Sequence, residues 1–196
     1  MLVSGIVATL ALTGCGSEGP TANPPIFVAV PWTEHEQLHY TLSERDHVHG
    51  HCILSTTPEV TSEMTKSQVT KLERVCTDDT EGRYQDNGLA FVDSQTLRPE
   101  MSFRIILDLQ EESQQTFSSV YSHDRTLVFF VSARIGGEQN ELELTTERKL
   151  PAPNAAVSEP AWYDDEALLW LVRGVPLEKG FKGAFTNVNA ATGRVF

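Results

Sequence analysis

The chain has 196 residues, 40% of them hydrophobic and 21% charged, which is the balance of a globular protein with room for one well-filled core. Its formal net charge is −12, and the first fifteen residues contribute no acidic or basic side chain, so the acidity belongs to the chain beyond Cys15. An acidic surface repels phosphate backbones and anionic headgroups, which excludes nucleic acid as an expected partner.

Taken in order, Ile6–Leu12 is a short apolar run, too short to span a bilayer, and it leads into Leu12-Thr13-Gly14-Cys15. An apolar run followed by small residues reads as an export leader. The Leu-Thr-Gly-Cys ending closely resembles a bacterial lipoprotein cleavage box. That resemblance implies that residues 1–14 are a removable signal and that the Cys15 thiol is lipidated, fixing the protein to a membrane from outside the cytoplasm. Met1–Gly5 carries no Lys or Arg, a departure from that pattern, and the basic opening of such a leader is expected upstream. Residues 15–25, rich in Gly, Ser and Pro, are the expected flexible tether, and 26–196 the single domain. Cys52 and Cys76 are then left as a pair, which in an exported chain suggests a disulfide worth about 3 kcal/mol.

Beyond the tether the pattern is one of short strands. Leu38, Tyr40 and Leu42 alternate with polar residues; Asp46–Gly50 reads as a turn and His51–Thr56 as the returning strand. Gln68–Cys76 is a further strand, and Asp86-Asn87-Gly88 a turn signal before Leu89–Val92. Met101, Phe103, Ile105, Leu107 and Leu109 form the cleanest period-two pattern in the chain. Thr116–Tyr121 and Thr126–Val131 flank a turn at Ser122-His123-Asp124, and Glu141–Glu147 follows Gly136-Gly137. After a loop over 151–160 comes WYDDEALLWLVRGVPLEKGF, residues 162–181, where six apolar residues from Ala167 to Val172 predict a helix over 162–173 buried on every side. Asp164 is its expected cap, with Asp165 and Glu166 where the helix dipole favours negative charge and Gly174 at its close. Phe181–Val188 and 194–196 are expected to close as a hairpin. The apolar strand that stops at Phe196 suggests a domain truncated at its C-terminus. The sum is a mainly β fold, an antiparallel meander curled into an open or partly closed barrel on one C-terminal helix.

Chemistry-bearing residues are few. Five of six histidines lie between His35 and His51, and His35-Glu36-Gln37-Leu38-His39 matches the zinc-protease pattern. That chemistry needs a helix, so that both imidazoles reach one Zn²⁺. The surrounding alternation favours a strand, on which His35 and His39 stand about 13 Å apart and Glu36 points the other way. His47, His49 and His51, two apart on a strand at roughly 7 Å, are the more workable metal set. The cluster from His35 to His51 defines the alternative reading, a metal-binding protein or zinc metallohydrolase. No nucleophile elbow, phosphate loop or dinucleotide fingerprint occurs, no cofactor is implied, and the acidic groups Asp78-Asp79 and Asp164-Asp165-Glu166 read as solvated. Phe103, Tyr121, Phe129 and Trp170 are candidates to line an apolar or lipid-binding cavity.

Three segments, Glu36–Leu42 with Gly50–Thr56, then FVDSQTLRPEMSFRI at Phe91–Ile105, then Tyr163–Phe181, resemble a family of uncharacterised bacterial exported or lipid-anchored proteins. The resemblance implies a β-rich exported fold loosely like the half-barrels that carry lipids or lipoproteins, and it carries no catalytic residues. The expected role is a non-enzymatic binding or envelope-associated module.

Overall fold

The computed structural model describes residues 32, 35–62, 66–78, 83–124, 126–136, 141–150, 162–175, 178–180, 186–189, 192 and 194. Residues 1–14, expected as a leader, Cys15 and the rest of the expected tether, and residues 151–160, expected as a loop, lie outside them. Eight strands make one sheet: β1 (Gln37–Glu44), β2 (His47–Thr61), β3 (Gln68–Asp78), β4 (Tyr84–Asp93), β5 (Pro99–Asp108), β6 (Ser113–Tyr121), β7 (Leu127–Ile135) and β8 (Glu141–Lys149). Each pairs antiparallel with its sequence neighbour, in the linear order β1 to β8. The meander is as expected; the barrel is not, because the sheet does not close and β1 and β8 lie at opposite ends.

Two turn expectations fail. The β1–β2 turn is confined to Arg45 and Asp46, and His47–Gly50 belongs to β2. Asp86-Asn87-Gly88 sits in the middle of β4, paired with Cys76, Val75 and Arg74 on one side. Turn propensity is a local preference, and here two neighbouring strands satisfy the backbone of the segment instead.

The predicted helix is a composite strap. β9 (Trp162–Asp164) comes first, then a 3₁₀ turn (Asp165–Ala167), α1 (Leu168–Leu171) and a second 3₁₀ turn (Val172–Gly174). β10 (Thr186–Val188) pairs parallel with β9, and Asn189 N donates to Arg194 O at 2.8 Å. The strap is buried on one side only. Ala167, Trp170 and Leu171 are inside, whereas Leu169 and Val172 are about half exposed. Its inner side packs on Cys52, Leu54, Leu72, Ala90 and Val92, with Tyr163 and Leu97 completing the cluster. A second cluster, Tyr121, Val128, Phe130, Leu150 and Val188, continues the core toward β10. The core therefore lies on one face of the sheet, between it and the strap.

Among the described residues no helix is long and apolar enough to cross a membrane. Cys52 and Cys76 are direct cross-strand partners of β2 and β3, with their sulfurs 2.04 Å apart, the distance of a disulfide.

Candidate functional site

Two places stand out, one on each face of the sheet. On the covered face, Asp164 ends β9 and caps the 3₁₀ turn, accepting the Glu166 N–H at 2.9 Å through Oδ1. Its other oxygen accepts the Ser102 hydroxyl of β5 at 2.7 Å and the Tyr121 hydroxyl of β6 at 2.5 Å. The residue has no exposed surface. Burial pushes its carboxyl up to about 6, while the Tyr121 and Ser102 hydroxyls pull the other way by bonding the charged form.

Two residues on, Glu166 reaches down to the sheet. Its carboxylate lies 3.2 Å from Arg74 of β3 and 3.9 Å from Arg104 of β5. Asp86 of β4 binds the same two guanidinium groups. It accepts Arg104 through two bonds of 2.9 and 2.8 Å, and Arg74 at 3.0 Å. Burial pushes the Glu166 carboxyl up to about 7 against the pull of Arg74 and Arg104. The bonds to Asp86 raise Arg104 further above its ordinary value. Gly88 makes the approach possible: a Cβ there would sit 2.5 Å from Glu166 Oε2.

Perturbed carboxylates in a cluster often mark reactive centres. Here each charge is already answered, and Asp164 has no surface to offer a substrate. What the arrangement does chemically is clasp the strap: one carboxylate binds β5 and β6, the other spans β3 and β5. Sequence reading placed Asp164 correctly as a cap but took Asp164-Asp165-Glu166 as solvated. The signal that could have found the clasp is the polar half of β5. Glu100, Ser102 and Arg104 alternate with the apolar stripe, and a polar row on one strand needs partners if it is covered.

The other face carries that stripe. Register puts Met101, Phe103, Ile105 and Leu107 of β5 beside Phe91, Leu89, Asn87 and Gln85 of β4. On the far side they meet Val120, Ser118, Thr116 and Gln114 of β6. Farther out lie Val75 of β3, Ile53 of β2 and Phe129 and Val131 of β7. The apolar members at the centre are only half-buried, and Ile53, Val75 and Phe129 are 36%, 41% and 37% exposed. Antiparallel sheets with one wet face normally point polar residues outward. This one points its cleanest apolar strand pattern away from the core, and an apolar patch rimmed by polar residues marks an interaction surface. A recess of about 210 Å³ lined by Glu73, Val75, Asn87, Leu89, Phe103 and Ile105 dimples it. The buried Asn87 Oδ1 there has no hydrogen-bond partner. The recess is smaller than the roughly 300–1,000 Å³ of pockets that enclose a small molecule.

The four cavity candidates are not brought together. Phe103 and Phe129 stand on the open face, and Tyr121 and Trp170 are buried on the covered one, because strand alternation and the strap assign them to opposite sides. The histidines fare similarly. His39 lies on β1 and His35 in a turn before it, with a φ of 52°, so the zinc-protease pattern is not helical. A bulge in the β1–β2 register falls at His49, between Val48 and Gly50, so His47, His49 and His51 do not form a regular row. Among the described residues no three metal-type side chains are grouped to hold an ion.

No family model, curated protein or solved structure matches the chain.

Proposed function

We propose that the protein is a lipid-anchored, extracytoplasmic binding module without catalytic activity, and that it docks an apolar partner on the open face of its sheet. The observation that carries this is the outward stripe of β5, Met101, Phe103, Ile105 and Leu107, with Leu89 and Phe91 beside it. Leaving such a surface half-exposed costs free energy, at about 25 cal/mol per Å² of apolar area left in water, which covering it would recover. The facing cysteines suit an oxidising compartment, and a lipid on Cys15 would hold the domain at the membrane that bounds it. The likeness to exported bacterial proteins belongs to the same reading.

The test uses an uncharged naphthylamine dye whose fluorescence rises in apolar surroundings, added to the chain well below micromolar concentration, where copies of the chain are dilute. The wild type is expected to enhance the signal and Phe103→Glu to lose most of the enhancement, with both proteins giving the same far-ultraviolet dichroism. Equal enhancement by both would remove the open face from the proposal.

A further inference from the structure

We infer that the occupant of the open face is a second copy of this chain, packed sheet against sheet about a two-fold axis running along the strands between β5 and β6. The inference rests on the reading of that face as a docking surface, and cross-strand register supplies the rest. One row runs Lys71, Phe91, Met101, Val120, Phe129, Glu147 from β3 to β8. It opens with a cation, closes with an anion and is apolar between. A two-fold axis at its midpoint sets Lys71 over the partner's Glu147, Phe91 over the partner's Phe129, and Met101 over the partner's Val120. The same operation repeats every contact, as a closed two-fold interface requires.

The rows beside it are complementary in size. Phe103 and Ile105 have Ser118 and Thr116 as register partners on β6. The axis therefore places Phe103 and Ile105 over the smaller Ser118 and Thr116 of the other copy, which is how facing sheets interdigitate across about 10 Å. Aligned sheets cross at about 30°, so a position roughly 12 Å from the axis is displaced by about 6 Å, which the long Lys71 side chain can span.

Area is sufficient. Six strands at about 4.8 Å and seven residues at about 3.4 Å give a face of roughly 700 Å², near the ~800 Å² per partner of a stable interface. Charge permits it despite the net −12, because each side of the apolar centre is bordered by one cation and one anion, Lys71 with Glu73 and Lys149 with Glu147. An enclosed small ligand is the weaker occupant, given a recess of only about 210 Å³.

Sedimentation equilibrium on the full chain carrying Cys15→Ser, so that no lipid is attached, tests this. A dimer is expected in the micromolar range, weakened about tenfold by Lys71→Glu or by Glu147→Lys and restored within about threefold when both changes are combined. Phe103→Glu is expected to leave only monomer. A wild type that stays monomeric at hundreds of micromolar overturns the inference, as does a double variant no tighter than either single one. A monomer that still enhances the dye in a Phe103-dependent way refutes the self-pairing alone. A monomer that does not enhance it refutes the docking surface as well.

Discussion

Asp164 and Glu166 release their protons less readily in the folded protein than in the unfolded one, and this gives the clasp a pH dependence of definite sign. Unfolded, both titrate near 4; folded, burial raises them to about 6 and about 7. Between about pH 4 and 7 the folded state thus binds more protons than the unfolded one, so stability falls as pH rises through that window. Each group contributes at most on the order of 3 kcal/mol, since one pKa unit is worth about 1.4 kcal/mol. Asp108 and Asp124 are shifted downward, so their opposite contribution is confined to pH values below about 4. The thermal midpoint is expected to be roughly 8–16 °C higher at pH 5 than at pH 8, and Glu166→Gln to remove about two-thirds of that difference, because Glu166 titrates over about twice as much of that span as Asp164. An unchanged slope in the variant would reassign the effect. None of this was legible from the acidic triplet alone. A cap and a buried clasp use the same residue types, and only the tertiary partners Ser102, Tyr121, Arg74 and Arg104, 43 to 92 residues away, separate them.

At the scale of elements, periodicity located the eight strands and could not say which face of each is the core. In β5 the apolar row points outward while Ser102 and Arg104 meet the strap. The strap was legible as a buried element ended by Gly174, but its six-residue apolar run is covered on one side only. Two glycines show how strand interiors are specified by what approaches them. A Cβ at Gly50 would overlap the Thr77 carbonyl oxygen, on the neighbouring backbone of β3, whereas one at Gly88 meets the movable end of Glu166. Gly50→Ala is therefore expected to cost more, about 3 kcal/mol in a urea titration, against about 1–2 kcal/mol for Gly88→Ala. The opposite ranking would mean that the clasp is stiffer than the sheet.

For the molecule as a whole, the class was legible and the closure was not. Eight alternating strands at short spacing specify a meander, but whether its ends meet depends on twist and curvature that no local pattern records. The facing cysteines tie β2 to β3 near the β1 end, where β1 is exposed along nearly its whole length. Reduction with dithiothreitol is expected to lower stability by about 3 kcal/mol, or roughly 6–12 °C in midpoint, without loss of far-ultraviolet strand signal. No change on reduction would show the thiols already free. Within the eight-stranded sheet every pairing joins consecutive strands and needs only a short loop closure. The strap's ties instead reach back 62 residues to Ser102, 92 to Arg74 and, from Arg173, 137 to Glu36. Loop closure over such spans is slow relative to hairpin formation. During synthesis or export the covered face thus waits, uncovered, for a segment made after all eight strands, and in that interval both faces of the sheet are apolar and open. Any factor that shields newly made copies has its natural target in that interval, on the face that the finished protein hides.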